Sequence, residues 1–163
     1  MVNRDGTPQS PQSTFKTITI VHMALLAGLI LFGLVVLVIQ PEKGIIINDS
    51  NVFFYIVPGL ALAAIFVSIT VFKKQVNTAL NKPTVKEKIT FYCSALIQRF
   101  AFLQGSSLLG IVVYWQTGNL FYLLVSGLLI IYFVSIRPTK DRMLTDLNLT
   151  SYVEQSSDFS NLQ

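Results

Sequence analysis

Three long stretches of the chain contain no Asp, Glu, Lys or Arg: residues 17–41, 50–72 and 100–136. Uncharged apolar runs of roughly 18 residues or more are typical of helices that span a membrane. The third stretch is too long for one crossing of a hydrocarbon layer about 30 Å thick, and the turn-type residues at 117–119 interrupt it. The pattern therefore predicts four spans, at about 17–40, 52–72, 89–116 and 120–136.

These spans predict an all-α membrane protein built as two tandem helical hairpins. A short amphipathic helix is expected at about 138–147, because Pro138 suits a helix start and Met143, Leu144 and Leu147 share one face. We expect this helix to lie at the membrane surface. The four-helix transmembrane domain then covers 15–149, and the polar segments 1–14 and 150–163 are expected to be disordered.

The basic residues are unevenly distributed around the spans. All Lys and Arg residues except Lys43 and Arg99 lie before the first span, between spans 2 and 3, or after span 4. Short loops rich in Lys and Arg stay in the cytoplasm, so both termini and the loop at 73–88 should be cytoplasmic. The net charge of +4 is explained by this bias and by anionic headgroups, so we expect the lipid bilayer, and no nucleic acid, as a partner.

The two hairpins share an internal repeat between residues 22–36 and 99–113. The alignment pairs His22 with Arg99, Gly28 with Gly105, and Gly33 with Gly110. The returning segments repeat as well, since Phe53-Phe54, Val57 and Gly59-Leu60 match Phe121-Tyr122, Val125 and Gly127-Leu128. The repeat predicts two hairpins of the same orientation, related by an axis along the membrane normal.

Small residues within the spans have a mechanical interpretation. Lipid tails are as apolar as leucine, so helices associate through close packing, which small side chains permit. Five glycines are therefore predicted to lie at helix contacts: Gly28, Gly33, Gly59, Gly105 and Gly110. Contacts of this kind also suit a further copy of the chain or another membrane protein as partner.

The polar residues of span 3 differ in expected depth. Arg99 and Arg137 are equally far from Gly118 along the chain, about 28 Å at the helical rise, so both should lie near the cytoplasmic boundary. Arg99 is expected to anchor the helix by reaching headgroups or the loop at 73–88, and Gln98 shares that depth. A role for either residue in a functional site is the alternative.

Two further polar residues are candidates for function. Gln104 should lie about 21 Å from the outer turn, within the hydrocarbon, where its amide needs a partner. An interhelical hydrogen bond is the simpler interpretation, and a polar path or ligand contact is the alternative. His22 is the only histidine, and we expect it at headgroup level or in helix packing, with pH sensing as the alternative.

No catalytic constellation is recognisable in the sequence. There is no Ser/His/Asp set, no paired carboxylate at depth and no His-x-x-x-His pair, and Cys93 is the only cysteine. We therefore expect neither enzymatic activity nor a metal or cofactor. The sequence favours a scaffold, assembly or partner-binding subunit. The alternative is a component of an ion or small-solute translocation system that uses His22, Arg99 and Gln104.

Four segments carry a resemblance to a known family: FKKQ at 72–75, ALIQRFAFLQG at 95–105, TGN at 117–119 and RPTKDRMLTDLNL at 137–149. They resemble a family of small four-span membrane proteins of Bacteroidota, and the likeness covers most of the chain after residue 17. It implies a bacterial inner-membrane location and no activity. In that family a glutamate commonly stands where this chain has Gln104, so carboxylate chemistry does not carry over.

The duplicated hairpins are also loosely similar to proteolipid subunits of ATPase rotor rings. Those subunits bind an ion through a carboxylate in the middle of the membrane. Every Asp and Glu of this chain lies outside the four expected spans. The expected cytoplasmic termini are also opposite to those of bacterial ring subunits.

Overall fold

The protein is all-helical in the residues that the computed structural model describes, which are 11–40, 44–47 and 51–149, with side chains described from residue 15 onward. The helices are α1 (Pro11–Ile39), α2 (Phe53–Leu80), α3 (Val85–Thr117), α4 (Leu120–Ser135) and α5 (Lys140–Asp146). No β-strand is present among these residues.

Three of the helices, α1, α2 and α3, are long and apolar enough to cross a membrane, as the sequence predicts. The fourth, α4, has 16 residues and reaches span length only when α5 is counted with it across a bend of 76°. At the helical rise α4 is about 24 Å long, shorter than a hydrocarbon layer of about 30 Å. The helices are thus consistent with a multi-pass membrane protein of three or four spans.

Several helix boundaries differ from the sequence predictions. Residues 11–14, predicted to be disordered, form the first turn of α1, whereas 1–10 and 150–163 lie outside the described residues. The predicted loop at 73–88 is mostly helical, because α2 continues to Leu80 and α3 begins at Val85. Thr84 caps α3, because its hydroxyl oxygen accepts a hydrogen bond from the Glu87 N–H at 3.3 Å.

The centre of the bundle is α3, which packs against α1, α2 and α4. Among the described residues α1 makes only minimal contact with α2, so the first predicted hairpin is not a packed pair. The connections explain the difference. Gly118 ends α3 in the left-handed region with φ of 67°, which reverses the chain within a few residues, whereas residues 40–52 separate α1 from α2.

Two buried clusters lie on either side of the middle of α3. One, near the α2–α3 turn, gathers Phe100, Leu103, Tyr92 and Ile89 with Phe133 and the residues of α5. The other, near the 117–119 turn, gathers Ile111, Val113 and Tyr114 with Leu29, Val57 and Tyr122. Because α3 supplies side chains to both clusters, it holds the other helices in register along the length of the bundle.

Asn119 joins the two connections at one end of the bundle. Its amide Nδ2 donates to the Ile46 carbonyl at 2.6 Å, and its Oδ1 accepts from the N–H groups of Ile46 and Phe121, both at 3.1 Å. The bond to Phe121 caps α4, whereas the two bonds to Ile46 attach the α1–α2 connection. Leu120 N–H also donates to the Gly44 carbonyl at 2.8 Å. The α1–α2 and α3–α4 connections therefore lie at the same end.

Helix α5 closes the opposite end of the bundle. The predicted apolar face packs against protein, because Met143 and Leu147 are buried, with Leu144 beside them. Tyr92 of α3 donates its hydroxyl hydrogen to Asp146 at 2.9 Å and ties the two helices together. Met143 and Leu147 thus pack within the protein, and the expected position of this helix at the membrane surface stays a prediction.

Candidate functional site

His22 lies inside the bundle with 1% of its surface exposed. Its ring packs against Phe100 and Phe133 with centroid distances of 4.8 and 4.7 Å. Its Nε2 lies 3.2 Å from the Phe133 carbonyl oxygen and donates to it, since a carbonyl only accepts. His22 thus fastens α1 to α3 and α4, which is the helix-packing role, and not a headgroup contact.

Arg99 is held between two aromatic side chains. Its Nη2 donates to the Tyr132 hydroxyl at 3.0 Å, and its guanidinium carbon lies 4.9 Å from the centre of the Phe72 ring. Its Nε is buried and has no hydrogen-bond partner among the described residues. Arg99 was expected to reach headgroups or the loop at 73–88. Its guanidinium is instead held by side chains of α2 and α4, and its Nε–H donor has no partner among the described residues.

Gln98 and Gln104 are in different surroundings. Gln98 accepts a hydrogen bond from the Gln75 amide on the exposed side of the α2–α3 pair. Gln104 is half-buried, and its Oε1 has no partner among the described residues, so the interhelical bond expected there is not formed by that atom. The interhelical bond lies nearby instead: the Ser126 hydroxyl donates to the Ser107 carbonyl at 3.0 Å.

The five glycines predicted to lie at helix contacts differ in their surroundings. A methyl group at Gly110 would crowd the Ser126 side chain and lie 3.2 Å from the Tyr122 carbonyl oxygen, so this glycine permits close approach of α3 and α4. At Gly33 a methyl would make an ordinary contact, 3.6 Å from Ile111. At the other three it would meet no atom within 4 Å: Gly28, Gly59 and Gly105. These three therefore make no close contact within the described chain, and a role for them at contacts with a further helix stays a prediction.

A shallow apolar groove runs between α2 and α3, with a volume of about 380 Å³. Small residues form much of its floor, namely Ala63, Ala64, Gly105 and Ser106. The Ser106 hydroxyl is buried and has no partner among the described residues. At this groove the small side chains would let a third helix approach the backbones of α2 and α3 closely.

A second, polar cleft of about 400 Å³ lies at the α5 end of the bundle. Four basic side chains and one carboxylate line it: Lys73, Arg99, Arg137, Arg142 and Asp146. They come from α2, α3, the segment after α4, and α5. The sequence placed Arg99 and Arg137 at equal depth. It did not indicate Lys73 and Arg142, because that requires the continuation of α2 and the fold-back of α5.

The predicted candidates do not form one site. No hydrogen bond or ring contact among the described residues joins His22, Arg99 and Gln104 to one another. The described part of the chain also contains no group of three His, Cys, Asp or Glu residues placed to hold a metal ion. Only Arg99 belongs to a cleft lined by charged groups.

The fold is all-helical, and its apolar helices are consistent with the class of multi-pass α-helical membrane proteins. No family model matches the sequence, and comparisons with curated proteins and with solved structures find no similar protein.

Proposed function

We propose that the chain is a non-enzymatic inner-membrane protein with four spans and cytoplasmic termini, which acts by binding another membrane helix. The basic residues support the orientation, because they border the ends of the helices at the α2–α3 turn and at α5. The two connections at the opposite end are held together by Asn119, and Lys43 is the only basic residue in either of them.

The open groove between α2 and α3 carries this proposal. Gly105 and Ala63 leave the backbones uncovered there, and nothing in the described chain fills the space above Gly105. In lipid, helices associate through van der Waals packing at small residues, so an unfilled groove of this kind suits a further helix. A second copy of the chain and a different membrane protein are both partners of this kind.

The test is the size of the particle in mild detergent, after crosslinking in the native membrane. We expect the wild-type chain to run as a dimer or a larger complex. Gly105→Leu should fill the groove and release the monomer. Gly127→Leu is the matched control, because Gly127 is a helical glycine with no atom within 4 Å of an added methyl and lies outside the groove. A wild-type protein that is strictly monomeric and free of partners would rule the proposal out.

The orientation needs its own experiment. With Cys93 replaced by Ser, single cysteines at Ile45 and Gln116, both exposed near the Asn119 end, should react with an impermeant reagent added outside the cell. A cysteine at Lys86, exposed near the α2–α3 turn, should react only after the membrane is opened. Labelling of residues 45 and 116 from opposite sides would contradict the four-span topology.

A component of an ion or small-solute translocation system is the second candidate. It is favoured by buried polar atoms on α3 that lack partners among the described residues: Gln104 Oε1, Ser106 Oγ, Ser107 Oγ and Tyr114 Oη. Unpaired polar groups at such positions suit transient contact with water or a solute. Flux through liposomes of the pure protein, compared with Gln104→Leu, tests this. Absent flux, or equal flux in both, excludes it.

A further inference from the structure

The cleft at the α5 end has the size and the composition of a ligand site. Its volume of about 400 Å³ falls within the range of roughly 300–1,000 Å³ that is typical of small-molecule pockets. Its walls combine the apolar side chains Phe72, Val76 and Leu96 with the charged groups described above. We propose that this cleft binds a phosphate group, presented either by a lipid headgroup or by a small soluble phosphate.

The charged side chains that line the cleft are mostly basic. Lys73, Arg99, Arg137 and Arg142 face the cleft together with a single carboxylate, Asp146. None of the four basic groups forms an ion pair within the described part of the chain. One Asp146 oxygen already accepts the Tyr92 hydroxyl. The cleft is therefore strongly positive, and an anion would relieve the repulsion among its cations.

The Arg99 guanidinium is held in a fixed geometry at the cleft. Phe72 supports the guanidinium on one side, and Tyr132 takes one of its N–H groups. A guanidinium has five N–H donors, so the others remain to be used, and the buried Nε has no partner among the described residues. Because the planar guanidinium is already held in place, it loses little conformational entropy when it binds two oxygens of one phosphate.

The cleft lies far from the outer turn. Arg99 lies about 28 Å from Gly118 along α3, which is close to the thickness of the hydrocarbon layer, and Arg137, just beyond the end of α4, lines the same cleft. Under the proposed orientation this is the level of the inner-leaflet phosphates. Arg137 and Arg142 are exposed, so the same cleft is also open to soluble anions.

The experiment uses the full-length protein in two arms. In one, nanodiscs of neutral phosphatidylcholine are compared with nanodiscs that also contain phosphatidylglycerol, and lipids retained by the protein are counted by native mass spectrometry. In the other, inorganic phosphate is titrated into the protein in a neutral detergent by calorimetry. Retention of phosphatidylglycerol alone identifies a lipid site, and binding of phosphate in detergent identifies a soluble ligand.

The variants are Arg142→Gln and Arg137→Gln, which alter exposed side chains and should leave the fold intact, and Arg99→Gln. Each should weaken binding about tenfold or more, since hydrogen bonds to charged groups are the stronger ones in proteins. Lys74→Gln and Lys86→Gln are matched controls, because both remove an exposed cation near the same end but outside the cleft. Equal losses in cleft and control variants, or no retention of either anion by the wild-type protein, would overturn the proposal.

Discussion

Residues 22–36 align in sequence with residues 99–113, yet the two halves of the chain that contain them pack differently. In the second half, α3 and α4 form a close hairpin, with Gly110 against Ser126 and a hydrogen bond from the Ser126 hydroxyl to the Ser107 carbonyl. In the first half, α1 and α2 make only minimal contact, and each packs on α3 instead.

The repeat alignment shows why the first half lacks the same contact. Pro58 occupies the position that matches Ser126, and Ile30 the position that matches Ser107. Proline has no hydroxyl to donate, so no hydrogen bond of this kind can form across the first pair. The lengths of the connections strengthen the difference. The tight turn at Gly118 holds α3 and α4 side by side, whereas the longer segment 40–52 does not require α1 to lie against α2. A shared sequence pattern therefore does not ensure a shared helix pairing.

The largest contrast is expected at the repeat pair Met23 and Phe100. Phe100 is fully buried against His22 and Phe133, whereas Met23 is 51% exposed. Phe100→Ala should lower the free energy of unfolding by about 3–5 kcal/mol, because it opens a cavity in the bundle. Met23→Ala should change it by about 0.5 kcal/mol or less. Reversible unfolding in detergent, followed by circular dichroism, measures both, and similar losses would show that the halves are equally packed.

A second contrast separates two Asn residues that each precede a helix. Asn119 caps α4 and also holds Ile46 through two hydrogen bonds, whereas the Asn51 side chain accepts, among the described residues, only from the Phe53 N–H at 3.0 Å. Asn119→Ala should therefore cost about 2–3 kcal/mol, the cap and the cross-link together. Asn51→Ala should cost about 1 kcal/mol, because it removes a single hydrogen bond at the start of α2.

The same detergent unfolding measures this pair. Limited proteolysis at residues 44–47 gives a separate readout, because only the Asn119 variant should make that segment easier to cleave. Equal stability losses with unchanged proteolysis would mean that the cross-link contributes nothing.

The third contrast concerns the paired glycines Gly33 and Gly110. Gly110→Ala places a methyl group against Ser126 and the Tyr122 carbonyl, and we expect a loss of about 1–3 kcal/mol from overpacking. Gly33→Ala makes an ordinary contact with Ile111 and gains helix propensity, so stability should stay unchanged or rise by up to about 1 kcal/mol. Thermal unfolding in one detergent ranks the two variants. If the Gly33 variant were less stable than the Gly110 variant, the close contact between α3 and α4 at Gly110 would be contradicted.

The smallest expected effect belongs to the interhelical hydrogen bond itself. Ser126→Ala should cost about 0.6 kcal/mol and not more than about 2, the range for such bonds in membranes. Ser68→Ala is the control, because its buried hydroxyl donates only to Ile65 of its own helix at 2.8 Å. Equal losses of stability in the two variants would show that the hydrogen bond from Ser126 to Ser107 adds nothing to the pairing of α3 with α4.

Some features of the site followed from the sequence and others did not. Counting residues on either side of Gly118 predicts equal depth for Arg99 and Arg137, and the structure brings both to the same cleft. The continuation of α2 past Phe72 was not predicted. Lys73 and Lys74 end the uncharged run, but lysine is compatible with a helix, so the helix continues to Leu80. The burial of Met143 and Leu147 was also missed, because it depends on how the segment after α4 folds back into the same buried cluster as residues of α2 and α3.

The sequence by itself determined where apolar helices of membrane length lie and where the tight turn falls. Charges are costly in hydrocarbon whatever the neighbours are, and Gly118 permits a left-handed turn that other residues resist. Only the tertiary structure decided that α1 pairs with α3, that His22 is enclosed by Phe100 and Phe133, and that four cations share one cleft. Apolar helix surfaces are nearly equivalent in lipid, so the choice of partner depends on close contacts between particular side chains, which form only when the helices meet.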